Sequence, residues 1–302
     1  MIVKNFSNWM DAVRLRTLPL SISGIILSGS YAYFKGFWSW PVFIFALLTT
    51  ILFQITSNLA NDYGDAIKGT DNKDRIGPAR TVQSGKISAI QMRKAILITT
   101  AVSLITSALL IYFGTQGLPE YLIFFYGILA ILCIIAAITY TIGKKAYGYY
   151  GLGDLMVFIF FGGVSVLGSF PLFAKVFDWN LVYASISIGL FSTAVLNLNN
   201  MRDRTNDAQS NKRTLVVMMG PNAAKLYHFF LVCGGIAFLT IFIGKTNHEM
   251  AGLGLLPSVL FIFHSRKVMQ TKNPKEYDQE LKKIALYTFL SSALTALGLL
   301  LN

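Results

Sequence analysis

Acidic and amide side chains crowd into seventeen residues of the stretch SNLANDYGDAIKGTDNKDRIGPAR, among them Asn58, Asn61, Asp62, Asp65, Asp71 and Asp74. On a helix, Asn58, Asn61 or Asp62, and Asp65 fall at i, i+3 or i+4, and i+7, so they share one stripe. Gly69 permits a turn that returns Asp71 toward the same point. Carboxylate and amide oxygens without histidine or cysteine are the ligands of a hard cation, and Mg²⁺ takes one or two such carboxylates together with phosphate oxygens. Bare acids would bind a metal and bare bases an anion. Acids interleaved with Lys68, Arg75 and Arg80 suit a metal-bridged diphosphate.

A second stretch, LNLNNMRDRTNDAQSNKRT, repeats the arrangement. Asp203 and Asp207 stand at i, i+4, preceded by Asn199 and Asn200 and followed by Lys212 and Arg213. Sliding the chain by 138 residues superposes Asn61 on Asn199, Asp62 on Asn200, Asp65 on Asp203 and Arg75 on Arg213 without a gap. Charges in one loop can simply solvate it and pair with each other. Two loops with the same internal spacing point instead to two similar halves closing on one site, parallel rather than inverted repeats.

Other polar residues give weaker signals. Tyr140 and Lys144 are i, i+4 at the end of an apolar stretch, with Lys145 next, and read either as site groups or as an interfacial anchor. Asp154 in GLGD enters an apolar stretch without a basic neighbour, as a site group or as a charge complementing a helix N-terminus. The run HSRKVMQTKNPKEYDQELKK (264–283) carries both signs without such organisation and reads as a solvated connection. His228, His248 and His264 are scattered and form no ligand set. Cys133 and Cys233 lie in apolar stretches as small buried hydrophobes. There is no Gly-rich phosphate loop or nucleophile elbow.

The elements that must position these residues are helices in lipid. Hydrophobic residues are 54% of 302 and charged ones 13%, which excludes a water-soluble domain of this size. A hydrocarbon core of about 30 Å needs roughly 20 helical residues. Nine stretches qualify, near 18–35, 39–60, 94–114, 119–141, 153–174, 179–199, 223–244, 250–265 and 284–301, the eighth broken by Pro257. The first is read as a span and not a cleavable leader, because its flank Met10–Pro19 is long and polar.

The net charge of +12 could suggest nucleic acid, but its placement argues for topology and no nucleic-acid partner. With a cytoplasmic N-terminus, 23 of the 26 Lys and Arg fall on the cytoplasmic side, leaving Lys35, Lys175 and Lys245 for the other. The expectation is an all-α integral membrane protein of a cell's inner membrane. It has about nine transmembrane helices in two pseudo-repeated halves around a central cavity, forming one domain over 1–302 with site segments 58–80 and 197–214.

These residues resemble the UbiA superfamily of intramembrane prenyltransferases, which carry an NDxxD-type motif after the second helix and a DxxxD-type motif after the sixth. RLRTLPLS (14–21), NLANDYGDAIKGTD (58–71), DRIGPAR (74–80) and GLGD (151–154) resemble the branch that uses 1,4-dihydroxy-2-naphthoate. Gly69 stands where the general motif has its last acid, with Asp71 two residues later, as in that branch.

The resemblance implies two Mg²⁺ ions held by Asn61, Asp62, Asp65, Asp71, Asp203 and Asp207, binding a polyprenyl diphosphate. It also implies catalytic roles for Asp65, Asp203, Asp207, Lys144 and Tyr140. Substrate contacts are expected from Asn58, Lys68, Arg75, Arg80, Asp154, Asn199, Lys212 and Arg213, with Arg16 a further candidate for the aromatic acceptor. The rival readings are a sister enzyme using 4-hydroxybenzoate or homogentisate, and a transporter lined by intramembrane polar groups. The DG-x₂-AR spacing of CDP-alcohol phosphotransferases is missing.

Overall fold

A computed structural model describes residues 2–72 and 75–301; Lys73 and Asp74 of the first cluster lie outside the described residues. The chain runs through α1 (Ile2–Val13), α2 (Leu18–Phe34), α3 (Trp40–Ile67), α4 (Ala89–Gly114) and α5 (Glu120–Thr139). It continues through α6 (Gly153–Val157), which passes by a π-helical run, Phe158–Gly168, into α7 (Phe170–Ala174). The last elements are α8 (Leu181–Gln209), α9 (Leu215–Thr246), α10 (Ser258–Gln270) and α11 (Tyr277–Leu300). No strand occurs among the described residues.

Local chemistry sets several boundaries. At α4 the Ser88 hydroxyl accepts from the Gln91 backbone N–H at 3.2 Å, while the Gln91 side chain accepts from the Ser88 N–H at 3.0 Å. This reciprocal cap satisfies donors that a helix start leaves orphaned. The Thr214 hydroxyl caps α9 in the same sense. Gly220 at φ 81 followed by Pro221 kinks α9 near its start, because proline removes a ladder donor and glycine tolerates the positive φ.

Among the described residues, seven helical segments are long and apolar enough to cross a membrane: Trp40–Ile67, Ala89–Gly114, Glu120–Thr139, Gly153–Ala174, Leu181–Gln209, Leu215–Thr246 and Pro274–Leu300. The chain is a multi-pass membrane protein. Two of the nine expected spans differ from the rest. The first is α2, whose regular helix stops at 17 residues. The eighth is divided at Pro257 into a 3₁₀ turn, Glu249–Leu255, and the 13-residue α10.

α8 is the central post, with the π-helical run, α9, α11 and α2 packed around it, while α3 packs on α2, α4 and α5. The approach of α8 to the π-helical run depends on missing side chains. A Cβ on Gly162 would lie 2.4 Å from the Ser185 carbonyl oxygen, and one on Gly189 2.7 Å from the Phe158 ring. Such close backbone contact is how lipid-embedded helices gain packing where water supplies no hydrophobic drive. Cys133 is buried as expected, but Cys233 is exposed: it lies on the outward face of α9, where an apolar solvent makes exposure cheap.

Candidate active site

α3 and α8 both end in the polar clusters, and the two ends meet. Gly69, at φ +73, ends α3 by reversing the chain, so that the N–H groups of Thr70 and Asp71 both donate to the Asp65 carbonyl, at 3.0 and 3.2 Å. The reversal carries Asp71 back beside Asp65. From α8, the Asn206 side-chain amide donates to the Thr70 carbonyl at 2.7 Å, tying the two segments together.

Basic side chains bridge the clusters. Arg75 lies between Asp71 (3.0 Å) and Asp203 (3.4 Å), and Arg80 reaches Asp71 at 3.5 Å. Lys212 contacts Asp65 at 3.3 Å. Desolvation works against its charged form, but the Asp65 and Asp207 carboxylates overcome it and hold the ammonium above the ordinary lysine range. Burial, then the Asp65 charge, pushes the Asp71 carboxyl up to about 7 despite Arg75. The Tyr149 hydroxyl donates to Asp65 at 2.8 Å and lies 2.6 Å from the Thr70 hydroxyl, and its ring sits under the Lys68 ammonium at 4.0 Å.

Behind this charged rim lies a cavity of about 340 Å³. Asn61, Asp65, Arg80, Asn199 and Lys212 line its charged end, whereas Phe53, Phe160, Phe161, Tyr126 and Leu172 line its apolar length. Tyr140 also lines it, and burial raises the Tyr140 hydroxyl to about 12, so it stays protonated. The wall includes α3 from Ala46 to Asp65, which at 1.5 Å per residue is roughly 28 Å of helix. An anionic head and a long apolar tail would both find matching surroundings.

The expected single stripe on α3 divides into two rows. Asn61 and Asp65 face the cavity. Asn58 instead donates to the Val13 carbonyl (2.8 Å) and the Thr17 hydroxyl (3.0 Å), pinning the connection before α2. Asp62 accepts from the Thr81 N–H (3.0 Å), the Thr81 hydroxyl (2.7 Å) and the Val82 N–H (3.1 Å). Both of its oxygens are committed to that turn, so it is a loop anchor in this structure and not a free metal ligand. Asp62→Ala is expected to cost about 3 kcal/mol of stability, read as an earlier denaturation midpoint of the purified protein.

Lys144, Arg213 and Asp154 are among the expected site residues that do not line the cavity. α5 stops at Thr139 and Gly143 turns at φ +102, so the helical i, i+4 relation of Tyr140 to Lys144 does not form and Lys144 is exposed. Arg213 is likewise exposed, with Lys212 beside it turned inward. Asp154 is buried with its carboxylate toward the Tyr227 hydroxyl, the Thr193 hydroxyl donates to its backbone carbonyl at 3.4 Å, and one of its carboxylate oxygens receives no hydrogen bond. Lys144→Ala and Arg213→Ala should each change turnover less than about twofold, a fair range for exposed charges, as measured by product formation in lipid nanodiscs.

Other participants escaped the reading of the residues. Arg14 sits at φ 55 before α2, lines the cavity and has a buried nitrogen without a hydrogen bond. Burial lowers its guanidinium to about 10, against the pull of Asp62. Its place in RLRTLPLS was the available signal. Arg16, already a candidate for the acceptor, lines the cavity as well and pairs with Asp278 at 3.5 Å. The run 264–283 is therefore more than a solvated connection: Asp278 reaches the site, and Glu280 accepts from buried His264 at 2.7 Å. His264 in turn contacts His228 at 2.9 Å, so these two histidines are paired and not scattered.

Among the described residues no three carboxylate, histidine or cysteine groups form a ready-made metal cage. The donors present still fit Mg²⁺, which takes few protein ligands and completes its shell with water and phosphate. The Asp207 carboxylate accepts no hydrogen bond from the described residues, and one oxygen each of Asp71 and Asn206 is buried without one.

A profile of the UbiA prenyltransferase family matches residues 22–293. The chain belongs to the UbiA prenyltransferase family. Among curated UbiA-family relatives, the 1,4-dihydroxy-2-naphthoate octaprenyltransferase of Escherichia coli (strain K12) is 40% identical over 295 residues, covering 97% of this chain and 95% of the relative. The enzyme of the same name from Haemophilus influenzae is 35% identical over 309 residues, covering 100% and 98%. A UbiA homolog from Aeropyrum pernix K1 shares the fold at TM-score 0.66 and 14% identity, covering 96% of each chain. One from Archaeoglobus fulgidus, solved bound to DMAPP and Mg²⁺, gives TM-score 0.63 at 12% identity, covering 98% of this chain and 100% of that one.

Proposed function

We propose that this UbiA-family enzyme transfers a polyprenyl group from its diphosphate to 1,4-dihydroxy-2-naphthoate, with loss of the ring carboxylate, in menaquinone biosynthesis. The observation that carries the reading is the convergence of acids and bases from both segments at the mouth of one apolar cavity. The naphthoate-prenylating relatives at 40% and 35% identity support the choice of acceptor. A transporter would need its polar groups along a path near the midplane, whereas these gather at the common end of α3 and α8.

Asn61, Asp65, Asp71, Asp203 and Asp207 would hold two Mg²⁺ ions. The ions supply charge stabilisation for the departing diphosphate when bound. Lys212, Arg75 and Arg80 add fixed positive charge on the same oxygens. The allylic C–O bond breaks with its electron pair leaving on diphosphate. The apolar length of the cavity shields the allylic cation from water, and Tyr140 with the phenylalanines offers π-faces to it. The acceptor carbon bearing the carboxylate forms the new C–C bond. Its bond to the carboxylate then breaks, releasing carbon dioxide and returning the electron pair to the ring. Arg80, Arg16 and Asp154 are the proposed acceptor contacts, of which Asp154 requires a side-chain reorientation.

The 138-residue offset supports two similar halves of one domain. It pairs α3 with α8 and α4 with α9, and it carries Glu120 at the start of α5 onto Ser258 at the start of α10. On this reading α2 and the α10 region complete nine transmembrane segments. The distribution of basic residues supports an N-terminus and a site at the cytoplasmic face of the inner membrane.

The deciding experiment offers purified enzyme in nanodiscs a set of polyprenyl diphosphates and carboxyl-labelled acceptors with Mg²⁺. The expected product is prenylated naphthalenediol with one labelled carbon dioxide per transfer. A prenylated product that keeps its carboxylate would point to a sister acceptor, and no consumption of diphosphate would end the enzymatic reading.

A further inference from the structure

Arg202 is sealed in the interior at 1% exposure, the largest such side chain among the described residues. Its Nε donates to Asp203 Oδ1 at 2.9 Å, and its Nη2 donates to Asp203 Oδ2 at 2.7 Å and to Asn199 Oδ1 at 2.8 Å. Its Nη1 donates to Asp278 Oδ1 at 2.7 Å. A bidentate guanidinium held this closely neutralises a carboxylate, and a neutralised Asp203 has little to offer a divalent cation. Asp278 changes that balance. It gives the three charged groups Asp203, Arg202 and Asp278 a net charge of −1 beside the Arg75 guanidinium, which lies 3.4 Å from Asp203, and it draws one arm of Arg202 toward α11.

The first half has no such device. The 138-residue offset puts Gly64 opposite Arg202, and a Cβ on Gly64 would lie 2.5 Å from the Thr141 hydroxyl. Asp65 therefore has no adjacent guanidinium and meets Lys212 instead. Asp278 itself also meets Arg16 at 3.5 Å and Lys282 at 3.2 Å, but both are partly in solvent, with side chains 34% and 54% exposed, where screening weakens them.

We infer that Asp278 is a positioning residue for Asp203: by sharing the buried Arg202 it leaves Asp203 charged enough, and free enough, to hold a divalent cation. The inference rests on the metal–diphosphate reading of the site. It differs from a purely structural ion pair in its consequence. The effect of losing Asp278 passes through Arg202, so removing Arg202 as well relieves it.

The test is direct Mn²⁺ binding to the full chain in nanodiscs, followed by electron paramagnetic resonance, for wild type, Asp278→Asn, Asp278→Glu and Arg202→Met with Asp278→Asn. Asp278→Asn keeps an oxygen toward Arg202 and removes only the charge, so the Mn²⁺ dissociation constant should rise about tenfold, the usual scale for a residue supporting a metal ligand. Asp278→Glu should stay near wild type. The double variant, in which Arg75 remains as the cationic partner of the buried Asp203, should return to within about threefold of wild type on the same scale. Unchanged affinity in Asp278→Asn, or a double variant as weak as the single one, overturns the inference. A single variant that loses folded protein, with a double variant that folds and binds poorly, would overturn it too. Wild type that binds no Mn²⁺ would instead remove the metal reading beneath it.

Discussion

Asp65→Ala and Asp203→Ala should each lose prenyl transfer by about 10³-fold while the protein remains folded in lipid, as checked by product formation and by far-ultraviolet circular dichroism. The magnitude follows from what the groups do: a pre-set charge array at a departing oxyanion contributes about 10²–10³-fold for a single donor, and a metal ligand supports a whole cation. Asp65 is 4% exposed and receives the Tyr149 hydroxyl and the Lys212 ammonium, so its loss also releases two neighbours. Asp203→Ala leaves Arg202 with Asp278 as its remaining carboxylate partner, so Asp203→Asn, which keeps an acceptor beside the guanidinium, separates lost chemistry from lost packing. Full activity in either alanine variant would remove the metal assignment.

Lys212→Met should lose about 10²-fold in turnover and should also change how stability depends on Mg²⁺. Methionine matches the stem of lysine and removes its charge. Without the ammonium, Asp65 and Asp207 face each other's negative charge at a buried site, so the metal-free variant should melt below wild type. Mg²⁺ binds the folded state only and should recover part of the difference by mass action. Thermal melts with Mg²⁺ and with chelator measure this directly. Equal Mg²⁺ stabilisation of variant and wild type would mean that Lys212 does not share its carboxylates with the cation.

The sequence by itself determined a great deal here, because lipid makes polar residues costly. Spans stand out as apolar runs, and acids such as Asp65 and Asp203 stand out against them with their repeated spacing. The helical class, the family and the pairing of two clusters all follow from such local patterns. The 17-residue α2 and the division at Pro257 were harder, since hydropathy measures apolar length and not where the backbone leaves the helix.

Only the tertiary structure decided which oxygens are free. Asn58 and Asp62 carry the same residue types as Asn61 and Asp65, one helical row away, yet they anchor loops, because Val13, Thr17 and Thr81 come from elsewhere in the chain. Lys144 turned outward for want of one more helical turn, whereas Lys212 turned inward. Arg202 and Asp278, 76 residues apart, found each other only when α11 packed on α8. Ligand type is a property of a residue, but availability belongs to the neighbours that compete for its hydrogen bonds, and those neighbours are assembled by folding.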